Sequence, residues 1–108
     1  REIFAKVLEP DNYRNAYPDL TQSRIYAGMG DYVAMEASAG RARNILENAV
    51  PTGHAAREMA YCRHGEALIR LGHRAQGKAA IESAIANLTP QEKLPALYLN
   101  ECRAALDL

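Results

Sequence analysis

Three things are scarce in this chain of 108 residues: an excess of charge of one sign, long apolar runs, and cysteine. Lys plus Arg number 13 and Asp plus Glu number 13, so the formal net charge is zero. A nucleic-acid binder ordinarily carries a basic excess that displaces counterions from phosphates, and none is present overall. The apolar runs are only a few residues long, against the roughly 20 that a membrane helix requires. Cys62 and Cys102 form no Cys-x-x-Cys pair. Two thiols on separate helices read as small, reduced core residues in preference to a disulfide, which favours a cytoplasmic setting.

Catalytic patterns are missing as well. His54, His64 and His73 show no His-Glu-x-x-His spacing, and no neighbouring carboxylate completes a metal set. Cys62 and His64 stand two apart, which points them in different directions on a helix rather than pairing nucleophile with base. There is no Gly-x-Ser-x-Gly, and Gly28-Met29-Gly30 is too short to cradle a phosphate. The expectation is a non-enzyme without metal or cofactor, and without a nucleic-acid or membrane partner.

What the chain does contain is self-similarity. At a spacing of thirty-five residues Tyr26 falls on Tyr61, Gly30 on Gly65, Glu47 on Glu82 and Ala49 on Ala84. Asp31 with Glu66, Val33 with Leu68, Arg43 with Lys78 and Val50 with Ile85 are conservative partners in the same register. A period of roughly 20–50 residues marks stacked supersecondary units, each unable to bury its apolar face alone.

Breakers and caps give the helices. Ile3, Phe4, Val7 and Leu8 share one face of a first segment that Pro10 stops. Asp19, with Gln22 three residues on, predicts a helix start, with Ile25, Met29, Tyr32 and Val33 along one side as far as about Ala37. A shorter helix follows over Arg41–Val50, ended by Pro51-Thr52-Gly53. Further helices are predicted over Ala55–Leu71 and Ala75–Leu88, split at Gly72-His73-Arg74. Thr89-Pro90-Gln91-Glu92 carries the cap, first-turn proline and acidic third position of a last helix. A competing register makes Gly28–Tyr32 a turn, with a short helix over Leu20–Ala27 and a long one after Tyr32. The thirty-five-residue register is preferred because Gly65 stands at the same place inside a convincing helix, where glycine suits a close helix crossing.

The arrangement resembles the tetratricopeptide repeat, an antiparallel helix pair of about 34 residues. The aromatic, small and large apolar positions of that pattern look like Tyr61, Gly65 and Leu68, followed by Gly72 at the turn and Gly77, Ile81 and Ala84 on the second helix. The earlier unit supplies Tyr26, Gly30, Val33, Ala37, Ala42, Leu46 and Ala49. Tyr98, Cys102 and Ala105 fit the same positions on the last helix after a two-residue insertion. His64 stands where the pattern prefers Leu, Gly77 where it prefers Ala, and Pro90 arrives a residue late. The resemblance implies an all-α superhelix of antiparallel pairs with about six helices in a single domain over 1–108. Residues 1–11 would be a remnant second helix, 19–50 and 54–88 the two repeats, and 90–108 a capping helix. Arg1 in place of an initiator Met predicts a piece of a longer chain.

The resemblance further implies that first helices line a concave groove for a partner's peptide or helix. The groove positions carry over to Arg24, Ala27, Asp31, Ala34, Met35, Met59, Cys62, Glu66, Ile69 and Arg70. The carboxylate-clamping positions of some members hold Ala27, Asp31, Met59 and Arg63 instead of Lys and Asn, which argues against that activity. Arg41, Arg43, Arg74 and Lys78, with Arg70 and His73, form a candidate basic edge for an acidic segment or phosphate. Ile3, Phe4, Val7 and Leu8 are expected to meet an upstream segment or a second subunit. Two function classes follow: a protein-interaction scaffold, or the helical sensor of a larger regulator.

Overall fold

The computed structural model describes residues 13–52, 54–88 and 96–106. The described residues form a single 3₁₀ turn, Tyr13–Ala16, and five α-helices: α1 (Tyr17–Met29), α2 (Tyr32–Ala49), α3 (Ala55–Arg70), α4 (Arg74–Leu88) and α5 (Ala96–Leu106). Consecutive helices pack against each other, α3 also meets α1 and α5, and the 3₁₀ turn rests on α1 and α2. The all-helical expectation holds, with one helix fewer among the described residues than expected. The apolar segment Ile3–Leu8 and the start signal Thr89–Glu92 lie outside the described residues.

The first two helices follow the competing register. Gly30 adopts φ +77°, a conformation glycine takes without the penalty a Cβ imposes. It ends α1 as its N–H and that of Asp31 donate to the Ala27 and Tyr26 carbonyls. Asp31 then begins α2, its Oδ1 accepting from the Ala34 N–H at 3.2 Å. The helix expected over 19–37 therefore stops at Met29, and the one expected over 41–50 is the second half of a helix starting at Tyr32. Asp19 lies in the first turn of α1, behind Pro18, rather than at its cap.

Gly72, at φ +96°, makes the other tight turn, between α3 and α4. These two turn glycines stand forty-two residues apart, so the thirty-five-residue spacing aligns a turn (Gly30) with a mid-helix position (Gly65). The thirty-five-residue match of residue types is therefore not a match of helix boundaries.

Gly65 does sit at a helix crossing. A Cβ built there would lie 2.6 Å from the Ile81 side chain and 2.7 Å from the Gly77 carbonyl oxygen. A Cβ on Gly77 would lie 2.5 Å from the Gly65 carbonyl oxygen and 3.0 Å from the Ile69 nitrogen. Each glycine makes room for the other's backbone, which explains why Gly77 stands where alanine was expected. Alanine does not fit.

Two apolar clusters result. Ala16, Ala42, Leu46 and Ala60 form one, with Leu20, Ile45, Val50 and Ala56 packed on it. Cys62, Ile69, Ile81, Ala84, Cys102 and Ala105 form the other, joined by Met59, Tyr61, Ile85 and Leu106. Helix α3 contributes to both, and its N-terminus is tied to the end of α2 where the Arg57 Nη1 donates to the Val50 carbonyl at 2.9 Å. Ile25, Met29 and Val33, expected on the buried side of one helix, are exposed because the turn at Gly30 divides them between two helices.

Candidate binding site

Helices α1 and α3 both pack on α2 and also meet each other. A cleft of about 340 Å³ opens between their N-terminal halves. Tyr17, Leu20, Thr21 and Arg24 line it from α1, at the spacing of one helical face. His54, Ala55, Ala56, Met59 and Arg63 line it from the start of α3. His54 caps that helix, its Nδ1 accepting from the Ala56 N–H at 3.2 Å.

Of the expected groove residues, the cleft gathers Arg24 and Met59. Ala27, Asp31, Glu66 and Arg70 lie elsewhere: Asp31 caps α2, Glu66 faces Arg63 at 3.7 Å, and the Arg70 guanidinium stands 5.2 Å from the centre of the Tyr32 ring. Met35, Cys62 and Ile69 are corrections, because all three are buried and cannot line an open groove. For Met35 the reason is the register: it lies in α2, facing inward, not at the end of a first helix. Arg63, one of the carboxylate-clamping positions, also lines the cleft, whereas Leu20, Thr21 and His54 went unassigned as groove residues, although the helical spacing from Tyr17 to Arg24 was available to find the α1 members.

The four main residues of the expected basic edge come from two helices. Arg41 and Arg43 fall in the middle of α2, whereas Arg74 and Lys78 begin α4 beside the turn at Gly72. The exposed Arg41 side chain pairs with Asp19 at 3.2 Å and approaches the Ser38 hydroxyl at 3.3 Å. Arg43 is engaged in a chain of polar contacts across the surface joining α2 and α3.

That chain begins at Glu36, whose Oε2 lies 2.7 Å from His64 Nε2. Arg43 Nη1 meets His64 Nδ1 at 3.2 Å. Guanidinium can only donate, so Nδ1 is the bare nitrogen and Nε2 carries the proton given to Glu36. Gly40 leaves the ring room, since a Cβ there would stand 3.4 Å from Nε2. Arg43 also lies over the Tyr61 ring, 4.3 Å from its centre, and reaches Glu47 at 3.4 Å. The Tyr61 hydroxyl donates to the same Glu47 oxygen. Burial would push the Glu47 carboxyl up, but the Tyr61 hydrogen bond, Arg43 and Arg57 outweigh it and hold its pKa below the ordinary 4.5.

A second depression, of about 660 Å³, lies beside this chain and is lined by Glu36, Arg43, Tyr61, His64 and Leu68 with Gln76, Ala79, Ala80 and Ser83 of α4. Both nitrogens of His64 are engaged, which leaves neither as a base for a hydroxyl in that depression.

The two cysteines overturn another expectation. Cys62 and Cys102 are joined in a disulfide that ties α3 to α5, with their Cα atoms 5.4 Å apart. The packing of α5 on α3 brings together residues forty apart in sequence, a proximity the spacing could not reveal. Disulfides persist chiefly in oxidising compartments, so the premise of the cytoplasmic expectation is removed. No helix among the described residues is long and apolar enough to cross a membrane. In comparisons with protein-family models, curated proteins and solved structures, nothing matches the chain.

Proposed function

We propose that the chain is a protein-interaction module built of stacked helical hairpins, as in the tetratricopeptide class, and that it takes a peptide or helix of a partner against the side formed by α1 and α3. The observation that carries this reading is the cleft between Tyr17–Arg24 and His54–Arg63, an open depression lined by apolar residues with a few polar groups among them. Recognition sites for side chains have that composition, an apolar interior with a few placed polar groups. The disulfide favours an oxidising compartment as the place where the module works.

Peptide display on the immobilised 108-residue chain tests the reading. Selected peptides are expected to lose binding to Leu20→Glu, in the cleft, and to keep it with Ala79→Glu, in the depression beside α4. Loss with Ala79→Glu and retention with Leu20→Glu would move the site to the depression beside α4 and refute the proposal.

A further inference from the structure

His64 stands between two groups that ask opposite things of its ring. Its Nε2 lies 2.7 Å from the Glu36 carboxylate, and its Nδ1 lies 3.2 Å from Arg43 Nη1. In the neutral ring one tautomer serves both, with Nε2–H donating to Glu36 and bare Nδ1 accepting from the guanidinium. The other tautomer sets donor against donor at Arg43 and acceptor against acceptor at Glu36. The side chain is largely buried beside Gly40 and borders the depression against α4.

Histidine is the side chain whose charge ordinarily changes between about pH 5 and 8. A proton taken up by this ring goes to Nδ1, the one bare nitrogen. The Glu36 contact then gains the attraction of opposite charges, whereas the Arg43 contact is left with two cationic donors and no acceptor. Arg43 keeps its other holds, since its Nε reaches Glu47 at 3.4 Å and its guanidinium lies over the Tyr61 ring. Nη1 loses its partner.

Few ionisable groups face the ring. From α2 it meets Glu36 and Arg43, with Glu47 behind Arg43; on α3 Tyr61 is beside it, and Arg57 acts on Glu47. Helix α4 adds Gln76, Ala79, Ala80 and Ser83 to the depression, none of them ionisable. Among the described residues, neither α1 nor α5 places a side chain in its lining.

We infer that His64 is a proton-operated latch on Arg43: the neutral ring holds the guanidinium at the α2–α3 seam, and the protonated ring keeps Glu36 and releases Nη1 toward Gln76 and Ser83 of α4. The side-chain oxygens of those two residues are acceptors for the freed donor. No residue of the α1–α3 cleft takes part, so the latch goes beyond the interaction reading and does not depend on it.

Nuclear magnetic resonance of the ¹⁵N-labelled 108-residue chain from pH 8 to pH 5 tests this. Long-range spectra of the imidazole rings show which nitrogen carries the proton, and His64→Gln and Arg43→Lys identify the two sets of signals by their loss. At pH 8 Nε2 should be protonated and Nδ1 bare. As the pH falls, the Arg43 Nε–H resonance should move with the same midpoint as the His64 ring. Glu47→Gln should keep that movement, which separates it from the Glu47 carboxyl, whose pKa is held below 4.5. His64→Gln should lose it. Backbone amide spectra confirm that the variants fold. A protonated Nδ1 at pH 8, or an Arg43 resonance that stays fixed while the ring titrates, overturns the latch on the native chain alone. An Arg43 movement that survives in folded His64→Gln overturns it as well.

Discussion

At Glu47 two opposed influences meet on one carboxyl. Burial favours the protonated form, while the Tyr61 hydroxyl and the guanidiniums of Arg43 and Arg57 favour the charged one and prevail. The folded-state pKa is therefore lower than the unfolded one. A group of that kind stabilises the fold above its unfolded pKa, and the contribution is lost as pH falls toward the folded value. Glu47→Gln keeps the shape and removes the charge. The melting temperature of the native chain should exceed that of Glu47→Gln at pH 7. The gap should narrow below about pH 4.5 as the native carboxyl is protonated. A gap of constant size from pH 7 to pH 3 would show that the charge contributes nothing. The same residues correct an expectation about Arg43: its guanidinium is committed to His64, Glu47 and the Tyr61 ring, not offered to a partner.

Among the elements, breaks were more legible than boundaries that look like helix interiors. Pro51, Gly72 and the alternation of apolar residues predict α3 and α4 to within a residue or two, because proline and a left-handed glycine leave few alternatives. The α1–α2 turn was misread because glycine serves two unrelated purposes. Gly30 turns the chain with a positive φ, whereas Gly65 stays helical and gives way to a neighbouring backbone. Residue identity alone does not separate these uses, although Asp31 directly after Gly30 is the cap signal that favoured the turn. The shifted boundary in turn set the fate of the site residues. Arg24 precedes the turn and reached the cleft, whereas Met35 follows it and was carried into the core. The crossing of α3 and α4 yields its own prediction. Gly77→Ala sets a methyl group against the α3 backbone at Gly65 and Ile69, and backbone cannot move as a side-chain tip can. A loss of about 2–3 kcal/mol is expected from overpacking of that kind. Gly28→Ala, with open space around the added carbon, should be neutral or slightly stabilising by helix propensity. Equal denaturant midpoints for the two variants would contradict the close crossing.

Over the whole molecule, the two apolar clusters are held together differently. The one at Leu46 is enclosed by the 3₁₀ turn, α1, α2 and α3, which lie close together in sequence. The one at Ile81 depends on α5, whose described buried residues are the small Cys102 and Ala105, with Leu106 half-buried. These side chains bury little apolar area, and the Cys62–Cys102 bond adds a covalent constraint on where α5 rests. Closing a loop of 40 residues lowers the entropy of the unfolded chain, worth roughly 4 kcal/mol in the loop-entropy treatment. Cys62→Ala with Cys102→Ala should therefore lower the melting temperature by more than about 10 °C. Amide exchange in α5 should rise most, and exchange around Ala42 and Leu46 least, because the first cluster needs no residue of α5. Both cysteines are almost wholly buried, so the native chain should also show no thiol reactive toward a colorimetric reagent until it is both unfolded and reduced. Two thiols titrating in the native chain, or a double variant that melts and exchanges like the parent, would show that no covalent tether holds α5 to α3.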